Sequence, residues 1–276
     1  MLKLRDWIDI DKLSWFGLSS NPNAIILLQK NQDKIHWFNL SKNPNAIDLL
    51  TINKQKIKWD ILSVNPNAIK LLKKNQHKIC WSSLSLNKNA IELLTQNQDK
   101  INWDNLSFNP NAIDLLKQNK DKINWNNLSF NKNAIELLKE NQDKINWKYL
   151  SGNPNAITLL TQNQDKINWD CLSKNKNAMI LIKNNLDKIW WKTLSLNPNA
   201  IKLLEVNQDK IYWSWFSENP NIFTYDYKQM KKNMKNSGIA EELMAYIFNP
   251  KNMNKWIDWG FTEHQEFMEF MEFIDT

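Results

Sequence analysis

Serine, a residue that can act as a catalytic nucleophile, recurs ten times in this sequence at a constant spacing. A serine becomes a nucleophile when a histidine and a carboxylate activate it. The three histidines, His36, His77 and His264, hold no common position relative to the serines. We therefore predict no catalytic residue, and we expect the serines to bond backbone groups at helix ends. The recurring serines are Ser19, Ser41, Ser63, Ser85, Ser107, Ser129, Ser151, Ser173, Ser195 and Ser217.

Lysine also recurs once in every unit, and a line of ammonium groups spaced in this way could follow the phosphates of a nucleic acid. An aspartate precedes the lysine in most units, however, and opposite charges so close together largely cancel. The lysine stem can also cover the edge of a tryptophan while its ammonium stays in water. Arg5 is the single arginine among 36 basic residues, although arginine is the better ligand for phosphate and guanine. Nucleic-acid binding is thus our second candidate function, through Lys34, Lys56, Lys78, Lys100, Lys122, Lys144 and Lys166.

Ten tryptophans recur every 22 residues, from Trp15 to Trp213, without an insertion or a deletion. A fixed period of this length is typical of a solenoid. An indole on a helix face, with leucine three residues later, is typical of a packed core rather than a platform for bases. The period therefore predicts an all-α solenoid of about ten helix-pair repeats in which the tryptophans pack between units.

The unit from Asn31 to Ile52 contains one clear helix and one shorter helix. Asn43 is a favoured N-cap, Pro44 suits the first helical position, and Asn53 can end this helix in the left-handed conformation. Its apolar stripe consists of Ala46, Ile47, Leu49 and Leu50. The shorter helix, near residues 33–41, carries the tryptophan and has room for either α or 3₁₀ geometry.

One repeat cannot be stable alone. Its seven recurring apolar side chains contribute about 1.5–3 kcal/mol each when buried, whereas ordering its backbone costs roughly 1–2 kcal/mol for each of 22 residues. Neighbouring repeats must therefore cover both of its faces. At about 8–10 Å per layer, we expect a rod or superhelix on the order of 80–100 Å long, with a terminal cap at each end.

The sequence predicts three regions along the chain. Residues 1–14 form an N-terminal cap, residues 15–221 the repeat array, and residues 222–276 a helical C-terminal cap with an acidic amphipathic tail. Within the last region a helix rich in lysine and methionine should end at Asn236, before Gly238. Three aromatic residues near this end are expected to pack against the terminal helices, and the alternative is that they form a ligand site: Trp190, Tyr212 and Trp215.

Composition excludes several functional classes. The net charge is +7, and residues 222–276 hold six lysines against nine acidic residues, so the basic charge lies in the repeats. Cys80 and Cys171 occupy variable positions, and no glycine-rich phosphate loop or cysteine and histidine cluster is present. We predict a non-enzymatic protein without cofactor or metal. The N-terminus has no apolar signal core and no segment reaches the ~20 apolar residues of a membrane span, so we expect an intracellular protein.

Function in a solenoid usually resides in variable surface positions that align from one repeat to the next. The residue before the capping asparagine is such a position, and it is apolar in four consecutive repeats. If exposed, this strip is a binding site for a protein partner; alternatively, the position lies half-buried in a groove between helices. The candidate residues are Val64, Leu86, Phe108 and Phe130.

The unit Asn-Gln-Asp-Lys-Ile-x-Trp-x-x-Leu-Ser-x-Asn-Pro-Asn-Ala-Ile-x-Leu-Leu covers most of the chain. With the closing stretches that begin at Ile239 and Asn249, it resembles uncharacterised repeat proteins of giant DNA viruses, relatives of mimivirus. The resemblance implies a viral protein made in an infected protist. From the repeat architecture we predict a scaffold or adaptor that binds a viral or host protein, and we expect it in the host cytoplasm, the viral factory or the virion. It supplies no catalytic residues. The architecture also resembles the leucine-rich variant repeat, an α and 3₁₀ solenoid.

Overall fold

The computed structural model describes residues 2–238 and residue 246. Every repeat has a first α-helix that begins at the recurring tryptophan. A 3₁₀ turn precedes it in all repeats but one, and a second α-helix follows it in all repeats but the last. We number the repeats 1 to 10 by these tryptophans, so that repeat 1 contains Trp15 and repeat 10 contains Trp213. The protein is an all-α solenoid, as the period predicts.

The first helices are short because an Asn-Pro or Asn-Lys pair follows each of them. The residue before the tryptophan often acts as N-cap; the Asn102 side chain, for example, accepts a hydrogen bond from the backbone N–H of Asn105. These helices span Trp15–Ser20, Trp37–Lys42, Trp59–Leu62, Trp81–Leu84, Trp103–Phe108, Trp125–Phe130, Trp147–Ser151, Trp169–Ser173, Trp191–Leu194 and Trp213–Phe216. The predicted short segment near residues 33–41 is therefore α-helical from the tryptophan onward, and its first residues are 3₁₀.

The proline was predicted to be the first residue of the second helix, but the α-helix begins three residues after it. Asn43 caps a separate turn by accepting from the N–H of Asn45, and the α-helix starts at Ile47. Asn53 does not adopt the left-handed conformation; its φ is −109°, and its side-chain amide bonds the carbonyl of Leu49 instead. The second helices span Ile25–Lys30, Ile47–Ile52, Ile69–Lys74, Ile91–Thr95, Ile113–Gln118, Ile135–Lys139, Ile157–Gln162, Met179–Lys183 and Ile201–Glu205.

A 3₁₀ turn precedes the first helix in nearly every repeat, where a single longer helix is expected from the sequence. It holds the recurring lysine and ends one residue before a mostly buried isoleucine such as Ile35. These turns span Ile10–Lys12, Gln32–Lys34, Lys54–Lys56, Gln76–Lys78, Gln98–Lys100, Lys120–Lys122, Gln142–Lys144, Gln164–Lys166 and Gln208–Lys210. In four repeats the Pro-Asn-Ala or Pro-Asn-Ile segment is also 3₁₀, at Pro22–Ala24, Pro66–Ala68, Pro198–Ala200 and Pro220–Ile222.

The repeats close into a ring, and the expectation of an open rod is wrong. The side-chain amide of Asn21, in repeat 1, bonds the carbonyls of Ser217 and Asn219 in repeat 10, at 3.0 and 2.9 Å. Asn43 bonds the carbonyls of Ser19 and Asn21 in the same way. Repeat 10 is therefore hydrogen-bonded to repeat 1 in the same way as repeat 1 is hydrogen-bonded to repeat 2. A constant rotation between identical units returns the chain to its start, so no open end of the array remains.

The first helices form the inner layer of the ring. They pack against their counterparts in adjacent repeats, whereas the second helices lie farther from theirs, and in a closed ring the more closely spaced layer has the smaller radius. With roughly 8–10 Å between packed helices, ten first helices define a circle about 25–32 Å across. Each helix is about 10 Å wide, so the inner faces of these helices lie on a circle about 15–22 Å across.

The residues before Trp15 belong to this ring. Residues 5–223 form one compact unit, and the 3₁₀ helix Ile10–Lys12 is the first copy of the element found in later repeats. Trp7 stacks on Phe216 with ring centroids 5.7 Å apart, and the N–H of Arg5 bonds the carbonyl of Ile222. The segment therefore packs on the last repeat, not over a free end, and the predicted boundary at residue 14 does not separate it from the array.

A second compact unit comprises residues 1–4 and 224–276. Strands Leu2–Leu4 and Phe223–Tyr225 form a two-stranded sheet. The helix Tyr227–Asn236 ends as expected, and Gly238 has a φ of 70°. The expected tail helix after Thr262 lies outside the described residues.

Candidate binding surface

The recurring serines connect each repeat to the next. The Ser107 hydroxyl donates to the carbonyl of Trp103, 2.8 Å away, and accepts the backbone N–H of Asn124 in the following repeat at 3.0 Å. At the ring junction Ser217 accepts from Ser14 in the same manner, at 2.8 Å. Because every recurring serine is buried and bonded to backbone, the structure uses them for packing, as the sequence predicts.

The capping asparagines form a second belt of hydrogen bonds between repeats. The Asn109 side chain is buried, donates to the carbonyls of Ser85 and Asn87 at 3.0 and 2.9 Å, and accepts the N–H of Asn111 at 3.0 Å. A buried amide with these three partners is satisfied. These asparagines are therefore held by the architecture and leave no free group for a ligand.

The recurring lysines cover tryptophans of the preceding repeat. The ammonium nitrogen of Lys122 lies 4.6 Å from the ring centre of Trp103, and the same contact joins Lys12 to Trp213 across the ring junction at 5.2 Å. Among the proposed nucleic-acid ligands, this contact is made by Lys34, Lys78, Lys100, Lys122, Lys144 and Lys166. Lys56 has no such contact within the described residues. The lysine therefore contributes a cation–π contact between repeats.

The exposed face of the first helices defines the inner surface of the ring. It consists of the residue before each tryptophan, the two residues after it and the residue before each capping asparagine. The residue after one tryptophan contacts the residue before the next: Asn124 bonds Asp104 at 2.8 Å, and Asn146 bonds Asn126 at 2.9 Å. The residues of this inner surface differ from repeat to repeat, whereas the serines and capping asparagines that connect the repeats are the same in every repeat.

The predicted apolar strip lies on this inner surface, and all four of its side chains are half-buried. The Phe108 ring contacts those of Phe130 and Tyr149, with centroids 6.2 and 6.3 Å apart. Phe130 also fills the space above Gly152, where a Cβ would lie 2.7 Å from its ring. Much of this strip, formed by Val64, Leu86, Phe108 and Phe130, is thus occupied by contacts within the chain.

A second aromatic group, which we call the junction band, forms only because the ring closes. Repeats 9 and 10 contribute one half of it and repeats 1 and 2 the other half. His36 packs against Phe16 with ring centroids 4.7 Å apart, and Lys192 lies 4.8 Å from the rings of both Tyr212 and Trp215. The junction band consists of Trp190, Tyr212, Trp215, Phe16, His36 and Phe38.

Exposed aromatic side chains are concentrated on the inner surface. Every exposed Phe, Tyr or Trp in the described part of the ring lies there, whereas exposed aliphatic residues such as Ile52 and Val206 lie on or next to the second helices. Trp190 is 58% exposed, Phe16 50% and Tyr212 44%. Except for Tyr227–Asn236, the terminal helices expected to pack against Trp190 and Tyr212 lie outside the described residues. Exposed aromatic clusters of this kind are typical of binding surfaces.

The inner surface is almost neutral. Its variable positions carry five lysines and four carboxylates. The lysines are Lys42, Lys58, Lys148, Lys174 and Lys192, and the carboxylates are Asp60, Asp104, Asp170 and Glu218. A polyanion needs a surplus of positive charge along its path, so this surface is better suited to a neutral partner.

The described residues contain no group of three His, Cys, Asp or Glu side chains placed to hold a metal ion. Burial raises the pKa of the Cys171 thiol, which makes it a poorer nucleophile at neutral pH. A cleft of about 510 Å³ lies between second helices and is lined by residues such as Lys132, Glu136 and Leu159. None of the described helices has the length and apolar character needed to cross a bilayer.

The sequence singles out Trp190, Tyr212 and Trp215, but it does not place Phe16, His36 and Phe38 beside them. All except Trp215 directly precede or follow a recurring tryptophan, and these two positions are aromatic only in repeats 1, 2, 9 and 10. The sequence does not show, however, that repeats 9 and 10 adjoin repeats 1 and 2. None of the protein families, curated proteins and solved structures compared with the chain matches it.

Proposed function

We propose that this chain is a non-enzymatic scaffold or adaptor that binds another protein on the inner surface of its ring. The concentration of exposed aromatic residues on that surface carries the proposal. Aromatic side chains supply much of the binding energy in protein interfaces because they bury a large area at a small entropy cost. The recurring residues, which are engaged in packing, leave the variable inner positions to select a partner.

The near balance of charge on this surface supports a protein rather than a nucleic acid as partner. The recurring lysines are the best candidates for phosphate contacts, but most of their ammonium groups lie over tryptophan rings. Together with the resemblance to repeat proteins of giant viruses, these features lead us to propose a viral or host protein partner, met inside the infected cell.

Selection of peptides from a displayed random library tests this proposal. Phe38→Asp with Trp190→Asp places charge on the inner surface at exposed positions, and Ile52→Asp with Val206→Asp is the matched outer control. The selected peptides should bind the wild type and the outer variant but lose at least about tenfold in affinity for the inner variant, which corresponds to about 1.4 kcal/mol.

Equal binding to the inner variant would contradict the proposal. So would tight, salt-dependent binding of an oligonucleotide that is lost when Lys100, Lys122 and Lys144 are changed to glutamine, since that result identifies a nucleic-acid site. Circular dichroism of each variant confirms that the ring remains folded.

A further inference from the structure

The turns that hold the recurring lysines follow one another along one rim of the ring, because each connects a second helix to the next first helix. The residue before the lysine is an aspartate in eight of the ten repeats. Repeats 3 and 4 differ, since Gln55 and His77 take its place, and both side chains are exposed. The two repeats that lack this carboxylate are neighbours. The aspartates of the other turns are Asp11, Asp33, Asp99, Asp121, Asp143, Asp165, Asp187 and Asp209.

Lysines are concentrated where this carboxylate is absent. Residues 53–78 hold seven lysines and one acidic residue, Asp60, which gives a net charge of +6. Residues 1–221 hold 30 basic and 20 acidic residues, a net charge of +10. One short stretch therefore carries more than half of the net charge of that region. Its four exposed lysines on and next to the rim turns, which we call the basic rim patch, are Lys54, Lys56, Lys74 and Lys78.

Most charges of the basic rim patch are not neutralised within the chain. In the described part of the protein, the ammonium groups of Lys54, Lys56 and Lys74 form no ion pair, hydrogen bond or contact with an aromatic ring. The neighbouring Lys73, in contrast, is paired with Glu92 at 3.0 Å. Like charges on adjacent turns repel one another, and a local departure from an otherwise regular pattern is typical of a functional site. The patch is therefore suited to an anionic partner.

An exposed apolar side chain lies beside these lysines. Ile52 is the last residue of the second helix of repeat 2, two residues before Lys54, and its side chain is 80% exposed. Lys74 holds the same position in repeat 3. An apolar side chain next to lysines can enter the boundary between lipid headgroups and acyl chains while the ammonium groups stay at the phosphates.

The composition of the patch favours a lipid surface over a nucleic acid. It contains no arginine, the residue whose fork binds phosphates and bases in a fixed orientation, whereas lysine is a point charge that suits mobile headgroups. Single-stranded nucleic acids also stack on exposed aromatic rings, and in the described part of the ring such rings lie on the inner surface. Clusters of about four to eight basic residues attract anionic lipids.

We propose that the basic rim patch binds the surface of a membrane that contains anionic lipids, with Ile52 inserted at the level of the headgroups. This inference goes beyond the proposed function, which concerns the inner surface, and does not depend on it. Lysine ammonium groups bind the lipid phosphates and carboxylates, and the single isoleucine adds apolar contact.

Sedimentation with vesicles tests the inference on the full chain. One set of vesicles consists of phosphatidylcholine alone, and the other also contains phosphatidylserine. We expect at least about tenfold tighter binding to the anionic vesicles, and weaker binding as the salt concentration rises. Gln55→Asp with His77→Asp restores the aspartate that the other repeats have, so the fold should be preserved. Each lysine near an anionic membrane strengthens binding about fivefold, and two carboxylates among them should weaken it at least about tenfold.

Matched variants separate the patch from charge and apolar exposure in general. Gln142→Asp with Gln164→Asp adds the same two charges to exposed positions on the turns of repeats 7 and 8, and binding should remain nearly unchanged. Ile52→Gln should weaken binding about threefold or more. Val206 has the equivalent position in repeat 9 and is 77% exposed, so Val206→Gln is the control and should have no effect.

Equal binding to neutral and anionic vesicles overturns the inference, as does an equal loss from the two pairs of aspartate substitutions. Equal effects of Ile52→Gln and Val206→Gln overturn the choice of a bilayer as the anionic partner. Double-stranded DNA that displaces the protein from anionic vesicles, and whose binding is lost with Gln55→Asp and His77→Asp, overturns it in favour of a nucleic acid.

Discussion

The side-chain amide of Asn21 donates a hydrogen bond to the carbonyl of Ser217, a residue 196 positions later in the chain, at 3.0 Å. In the other repeats the same bond joins residues 24 positions apart, as between Asn43 and Ser19. The junction is therefore made with the same side chains as every internal interface. A solenoid whose last interface equals its first is a ring, and each repeat is then covered on both sides by another repeat.

Ring closure predicts a short distance between the ends of the array. Spin labels at Ser20 and Glu218 occupy equivalent positions in adjacent repeats of the ring, and we expect them within about 20 Å of each other, given about 8–10 Å per layer. Cys80 and Cys171 are first changed to serine so that the labels attach only at the two chosen positions. Electron double resonance measures the distance.

Labels at Lys42 and Val64 provide the control, because these residues are neighbours in either architecture. An open rod separates Ser20 from Glu218 by a distance on the order of 80 Å while the control distance stays short. That combination would rule out the closed ring.

Removal of a buried capping asparagine should destabilise the protein strongly. Asn109→Ala removes the side-chain donor to the carbonyl of Ser85 and one of the two donors to the carbonyl of Asn87, and it takes the acceptor from the N–H of Asn111. A buried group left unpaired costs about 1–3 kcal/mol. Asn111→Ala is the matched control, since its exposed side chain makes one bond, to the carbonyl of Lys88. Urea denaturation should show a clearly larger decrease in unfolding free energy for Asn109→Ala. Equal decreases for the two variants would contradict the conclusion that the buried capping asparagines hold adjacent repeats together.

Gly17 allows the close approach of repeats 1 and 10. A Cβ at this position would lie 2.7 Å from the backbone oxygen of Ser214 and from the Cβ of Ser217, neither of which can move alone. Gly17→Ala should therefore weaken the junction, and overpacking of this kind typically costs about 1–3 kcal/mol. Hydrogen exchange should become faster at the Ser14 N–H, which bonds Ser217.

Gly152→Ala is the matched control for Gly17→Ala. A Cβ there would also meet an atom at 2.7 Å, but that atom belongs to the Phe130 ring, which can rotate away. We expect a smaller loss of thermal stability and no change at Ser14. A larger loss for Gly152→Ala than for Gly17→Ala would show that the junction is not the tighter contact.

The sequence predicts the local structure well because the same side chains recur in the same surroundings. The period predicts the repeat, Leu40 and Ala46 the buried positions, and Ser41 a bond to backbone, all of which the structure confirms. Two local details differ. The 3₁₀ turn that holds the recurring lysine is separate from the α-helix that follows it. Asn53 ends its helix through its side chain, because the amide of Asn53 reaches the carbonyl of Leu49 without a left-handed backbone.

Closure of the ring was not predictable from the period. It depends on a small rotation between repeats that accumulates over the whole array, and a change of a few degrees at each interface separates a ring from a superhelix. The junction band follows from closure, since Tyr212 and Phe16 are almost 200 residues apart in the sequence. The apolar strip was predictable by position, but the contacts of Phe130 with Gly152 and Lys174 depend on packing.

Substitution of a stacked lysine should reveal the cation–π contribution. Lys122→Met keeps the apolar stem but removes the charge over Trp103, and we expect a loss of about 0.5–1 kcal/mol. Lys56→Met is the control, because no lysine ammonium lies over Trp37 among the described residues. Chemical denaturation at low and high salt measures both variants. Identical losses for the two substitutions would assign the effect to surface charge in general.

Cys171 should react slowly with alkylating reagents. Burial raises the pKa of its thiol, with a smaller contribution from Asp170, while Lys174 and Lys148 act in the opposite direction. The thiolate is the reactive species, so at pH 8 a smaller fraction of Cys171 is reactive than in an exposed cysteine, and the rate should keep rising as the pH passes 9. Iodoacetamide labelling of the Cys80→Ser variant, followed by mass spectrometry, measures this rate against that of free cysteine. Unfolding in urea should remove the difference, because it exposes the thiol to water. A rate for folded Cys171 equal to that of free cysteine at every pH would show that this thiol is not shielded by the packing of repeat 8.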